Sequence, residues 1–253
     1  MEYINLNFEL LKKINTNDVI VLLPIGTPEV HGPYLPFGTD IYISEAFSYL
    51  IEQKIKSIIM PSVYYGYSGV TKKIYGSISI DIDSVTNFIE SILLNIIKLK
   101  FKKILVINIH KDNDSLIKIS ISKIFDKTNI PVLYINPYEN FSKHDSNIFS
   151  KSSNSYKETS LILASLKILN KQLEIKKLGN KKMVYEKPIF IQKLRNVGFL
   201  RFDYKNEFEH ITPEDDASVD EGIKYMEFAR DEVLKELKYI NDYLSYLKKD
   251  SKL

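Results

Sequence analysis

The chain has 253 residues, 44% of them apolar, which is enough to bury a sizeable core in one domain. Its 35 basic and 32 acidic residues leave a net charge of +3, a near balance that argues against nucleic acid as the main partner. The absence of cysteine excludes disulfides, thiolate ligands and a cysteine nucleophile. No apolar run approaches the roughly 20 residues that cross a bilayer. The segment Met1-Glu2-Tyr3-Ile4-Asn5 lacks the charged start and apolar core of a signal peptide. A cytoplasmic protein without membrane contact is expected.

The first predicted element is Asp18-Val19-Ile20-Val21-Leu22-Leu23-Pro24, an apolar run that reads as a fully buried strand. Ile43 to Ile55 carries Ala46, Phe47, Leu50 and Ile51 at helical spacing. Ser57-Ile58-Ile59-Met60-Pro61 is a short second strand, and the Tyr-, Gly- and Ser-rich stretch 63–80 reads as a loop. Asp83 or Ser84 can cap a helix reaching about Lys100, with Val85, Phe88, Ile89, Ile92, Leu93, Ile96 and Ile97 on one face. Lys103 to Asn108 is a third buried strand, 114–125 is helix-like, and Ile130 to Asn136 is a fourth strand. Glu139 to Tyr156 is polar and reads as a loop, and 158–169 as a helix. Thr212 and Pro213 start one long last helix, with Val219, Ile223, Met226, Val233, Leu237, Ile240, Leu244 and Leu247 on its stripe. Strands alternating with helices predict a parallel sheet in an α/β fold, with residues 1–253 as a single domain.

In such folds ligands bind beyond the carboxyl ends of the strands. Glu29, His31 and Asp40 lie in the loop after the first strand, and His110 and Asp112 follow the third. Two of the four histidines thus sit beside carboxylates on one predicted edge. Each residue has an ordinary reading taken alone. A histidine at a strand end is often hydrogen-bonded structure, Asp40 can cap a helix, and Glu29 can be a solvated loop charge. Their convergence is what a divalent metal site needs. Imidazole and carboxylate donors suit zinc, manganese or iron(II).

The pattern Gly26-Thr27-Pro28-Glu29-Val30-His31-Gly32-Pro33-Tyr34-Leu35-Pro36-Phe37-Gly38-Thr39-Asp40, followed in order by Asn108-Ile109-His110-Lys111-Asp112-Asn113 and Glu158-Thr159-Ser160, resembles the creatininase (creatinine amidohydrolase) family. The resemblance implies a three-layer α/β/α sandwich with a mainly parallel sheet, and two divalent ions. Glu29 and His110 would hold one ion, His31 and Asp112 the other, and Asp40 would bridge them. Glu158 would be a nearby ligand or acid. It also implies a small-molecule amide substrate and a homo-oligomer, possibly a hexamer. Two ions can share and acidify a water and polarise a carbonyl, which a poorly electrophilic amide requires. The leaving amine then needs a proton.

The chain departs from the family at two places. The family histidine five residues ahead of the Glu-Thr-Ser glutamate is Ser153, and the family Ser-x-Glu-His is Ser68-Gly69-Val70-Thr71. His144 either replaces the missing base from its loop or is a solvated loop residue. The expected function is metal-dependent hydrolysis of a C–N amide bond in a small cyclic or formyl amide, or in a modified peptide, through a metal-bound hydroxide. The alternative is a degenerate member that binds metal and a metabolite or partner without turnover.

Overall fold

In the computed structural model, residues 1–138, 154–173, 175, 203–205 and 216–250 are described. Strand β1 (Ile20–Ile25) is buried at every position. Its alternate side chains feed two different cores, as the two-residue period of a strand requires. Ile20 and Leu22 point to one layer, and Val21, Leu23 and Ile25 to the other. Strands β2 (Ser57–Ile59), β3 (Ile104–Asn108) and β4 (Leu133–Ile135) complete the sheet among the described residues, in the order β2-β1-β3-β4 with every pairing parallel. A parallel sheet must be covered on both faces, so continuous apolar runs such as Val19 to Leu23 follow from the topology.

One face is covered by α2 (Thr39–Glu52), α5 (Asn154–Ile168) and α6 (Val219–Leu237), packed through Phe47, Ile51, Leu161, Tyr225 and Met226. The other is covered by α3 (Ile82–Lys98) and α4 (Asp114–Thr128), packed through Val85, Ile89, Leu93, Ile117 and Ile124. This is the expected three-layer α/β/α sandwich. A short α1 (Phe8–Lys12) precedes the sheet, and α7 (Ile240–Asp250) ends the described chain. No helix among the described residues is long and apolar enough to cross a membrane.

The element boundaries differ from the sequence reading in instructive places. Helix α2 begins at Thr39, four residues before the apolar spacing starts, so Asp40 sits in its first turn and Gly38 occupies the cap. Helix α3 is capped by Asp81, whose side chain accepts from the Ser84 amide, rather than by Asp83 or Ser84. The single last helix is two. Ser218 caps α6 by accepting from the Glu221 amide, and the chain breaks at Lys238–Tyr239 before α7. The Ser-x-x-Glu start satisfies an orphan amide at the helix end. The apolar stripe continues across the break, which is why periodicity alone does not show it. Thr212 and Pro213 lie outside the described residues.

The strand order places the functional edge. The chain leaves β1 toward β2 on one side, then returns so that β3 pairs with β1 on the other. The carboxyl ends of β1 and β3 therefore flank a topological switch point, where loops diverge and leave a crevice. Gly26 ends β1 against α2, where an added Cβ would stand 2.6 Å from the Ile41 amide nitrogen. That close approach fixes the first ligand loop to the helix that carries Asp40.

Candidate metal centre

Four of the seven residues singled out from the sequence meet at this crevice, and a fifth joins them from α5. Glu29, His31, Asp40, His110 and Glu158 are all buried. Glu29, His31 and Asp40 bring one ligand atom each to within 4.8 Å of one another, a grouping able to hold a metal ion. Asp40 Oδ1 lies 3.3 Å from His31 Nε2, and Asp40 Oδ2 lies 3.0 Å from His110 Nδ1. Glu29 Oε1 lies 3.1 Å from the same His110 nitrogen. Glu158 Oε1 lies 3.4 Å from His31 Nε2.

Backbone carbonyls set both imidazole tautomers. His31 Nδ1 stands 3.0 Å from the Glu29 carbonyl, and His110 Nε2 stands 2.9 Å from the Tyr67 carbonyl. A carbonyl oxygen only accepts, so each of these nitrogens carries hydrogen. The opposite nitrogens, His31 Nε2 and His110 Nδ1, face carboxylate oxygens. Lone pair against lone pair is repulsive unless a proton or a cation lies between. Asp40 Oδ2 adds to this, being buried with no hydrogen-bond partner. The donor set fits a divalent cation on these grounds.

The electrostatics follow from burying three carboxylates with two imidazoles. Burial alone would lower the His31 pKa, but Asp40, Glu158 and Glu29 raise it to about 10. His110 is raised well above its ordinary value against the same burial, by Glu29 and Asp40. Burial would lift Glu29, but the His110 and His31 charges bring it down to about 2, and Asp40 is likewise held well below the usual carboxylate range. Glu158 goes the other way. Burial dominates and lifts it to about 7, with His31 only partly offsetting. A carboxyl poised there can both take and give a proton near neutrality.

Asp112 is placed differently from the other four. Its Oδ2 accepts from the Val70 amide at 3.3 Å, and it is only half-buried. The acids facing His31 are Asp40 and Glu158. His144 and Ser153 lie outside the described residues.

Two residues at the site were not singled out as functional by the sequence. Thr71, fully buried, donates its hydroxyl to Glu29 Oε2. Tyr138, just past β4, has its hydroxyl pKa pushed far up by burial and by the negative charges of Glu158 and Asp40. Its sequence signal is its place just after the end of β4.

An α/β sandwich with a buried carboxylate–imidazole cluster at its switch point carries donors able to hold a metal ion. The family model described as creatininase, creatinine amidohydrolase, matches residues 5–186, and the chain belongs to the creatininase family. Creatinine amidohydrolase of Pseudomonas putida is 24% identical over 110 residues, 42% of each chain. A mycofactocin precursor peptide peptidase of Mycolicibacterium smegmatis is 34% identical over 67 residues, 24% of this chain and 27% of the other. These alignments thus span less than half the length of either curated relative. Among solved structures, a candidate creatinine amidohydrolase of Bacteroides fragilis matches with TM-score 0.76 at 18% identity, covering 94% of this chain and 95% of the other. A mutant creatininase complexed with creatine matches with TM-score 0.73 at 17% identity, covering 94% and 97%. These two likenesses establish the shared fold.

Proposed function

We propose that the protein is a divalent-metal-dependent amidohydrolase acting on the C–N bond of a small cyclic or formyl amide, or of a modified peptide. The observation that carries this is Asp40, whose two oxygens each face a different imidazole whose outer nitrogen is already tied to a backbone carbonyl. Glu29, Asp40 and His110 would hold one cation. His31 and Asp40, with Glu158 beside them, would hold a second. Asp112, which the family resemblance assigns to the second ion, enters the proposal as a holding group on the Val70 amide. When bound, such ions polarise a carbonyl and acidify water, and zinc, manganese and iron(II) all suit these donors.

The chain's own residues supply the rest. Asp40 in the first turn of α2 places its charge where the helix dipole favours an anion. The Glu29 and Tyr67 carbonyls fix the ring orientations. Glu158 is the group to accept a proton from the attacking water and return it to the leaving amine, being buried and held near neutrality. Tyr138 stays neutral beside these carboxylates. The pairing of the family model with peptidase and creatininase relatives supports an amide substrate of either class.

The test is hydrolysis of a panel of formamides, lactams and short peptides by protein loaded with zinc, manganese or iron(II). Turnover that disappears in Glu29→Ala and His110→Ala supports the reading. Stoichiometric metal uptake with no amide cleaved would replace it with a binding protein on the same scaffold. A homo-oligomer belongs to this reading through the family resemblance, and a monomeric mass by light scattering would remove that part.

A further inference from the structure

We propose that Thr71 is a positioning residue that fixes the rotation of the Glu29 carboxylate, and that residues 67–71 form the template spacing Glu29 from His110. The inference rests on the metal reading above and concerns how this chain holds its ligands. Thr71 is fully buried and donates its hydroxyl to Glu29 Oε2. The other oxygen, Oε1, is thereby turned toward His110 Nδ1, 3.1 Å away. A carboxylate held by one oxygen can no longer rotate freely about its last bond, so the ligand atom is chosen before a cation arrives.

The segment carrying Thr71 is itself anchored on the loop that carries His110. The Tyr67 amide donates to Asn113 Oδ1 at 2.9 Å, and the Tyr67 carbonyl accepts from His110 Nε2 at 2.9 Å. The Val70 amide donates to Asp112 Oδ2 at 3.3 Å. The segment is closed locally as well. The Lys72 amide donates to the Ser68 carbonyl at 3.0 Å and the Ile74 amide to the Thr71 carbonyl at 2.8 Å. One short turn therefore holds His110 at its start and Glu29 at its end. The two ligands come from different strands, so their spacing needs such a ruler. On this account Asp112 acts through Val70 and is a positioning residue too.

The experiment is cobalt(II) titration of chelator-treated wild type, Thr71→Val and Thr71→Ser, read by visible absorption and by competition with a chelator of known affinity. Loss of an outer partner to a metal ligand typically costs about 10–100-fold in affinity. Thr71→Val is expected to lose that much and to shift the cobalt band. Thr71→Ser is expected to restore both. A Thr71→Val protein that binds as tightly as wild type with the same spectrum overturns the proposal, even if its chelated form melts earlier, because a purely structural role predicts that result. If the valine variant does not fold, Thr71→Ala supplies the same two readouts. Wild type that takes up no cobalt sinks the metal reading itself and this role with it, an outcome distinct from the first.

Discussion

Asp40 Oδ2 lies 3.0 Å from His110 Nδ1, buried and without hydrogen-bond geometry, while its partner oxygen faces His31. One carboxylate therefore spans the two halves of the cluster. Asp40→Asn keeps the shape and removes the charge. Its metal content after gel filtration is expected to fall from stoichiometric to a minor fraction by elemental analysis. The chelated variant is expected to lose about 1–3 kcal/mol, limited because the imidazoles can shed their protons. Full retention of metal would show that Asp40 does not bridge.

The metal-free cluster has a pH dependence of definite sign. His31 is raised from 6.5 to about 10 and Glu158 from 4.5 to about 7. His31, raised by its partners, stabilises fully below 6.5 and loses that contribution as pH climbs through about 10. Glu158, raised by burial, costs nothing below 4.5 and increasingly more as pH climbs through about 7. Glu29, lowered from 4.5 to about 2, stabilises above 4.5 and loses its contribution as pH falls through about 2. The cluster's contribution thus peaks near pH 4.5 and declines toward pH 10. The urea midpoint of chelated wild type minus that of chelated His31→Asn cancels groups elsewhere. This difference is expected to be larger at pH 5 than at pH 8.5, and a flat difference would refute the assignment.

Most of the scaffold was legible because it obeys local rules. Continuous apolar runs in a parallel sheet give β1 and β3 from the sequence alone. The cluster residues Glu29, His31, Asp40 and His110 were legible because they follow the ends of those strands. The contacts that Asp112 and Thr71 make were not, for one shared reason. Their partners, the Val70 amide and Glu29, are 42 residues away in each case, and no local spacing encodes such a contact. Read against the family motif, Thr71 is a lost histidine. In the fold it is a buried donor. The α6 cap at Ser218 is hidden in the sequence because the apolar stripe and the Thr-Pro signal upstream carry no mark of where one helix ends and the next begins.

Gly66 offers a test of the 67–71 template from outside the ligands. A Cβ there would stand 2.4 Å from Thr27 Oγ1 and 2.5 Å from Asn113 Nδ2, two side chains that bond each other at 3.0 Å. Both are fully buried, so neither can swing away. Gly66→Ala is expected to cost about 1–3 kcal/mol by denaturant unfolding, as overpacking does. It also displaces the Asn113 amide that receives Tyr67, so metal affinity is expected to fall with stability. A variant as stable as wild type would mean that this packing is looser than the distances imply.

Glu158 separates chemistry from stability. Its carboxyl is pushed up to about 7 because burial opposes its charge more than His31 supports it. Above that pH the fold therefore carries an ionised acid it would hold more easily neutral. Glu158→Gln removes this cost, so the chelated variant is expected to be more stable than wild type at pH 8, by up to a few kcal/mol, and little changed at pH 4.5. Activity should move the other way. Loss of a proton-transfer group costs roughly 10²–10⁴-fold in kcat. Opposite changes in the two quantities identify a residue kept for reaction at the expense of the fold. If Glu158→Gln instead loses both stability and activity in parallel, Glu158 is a structural partner of His31 and the proton must travel through another group.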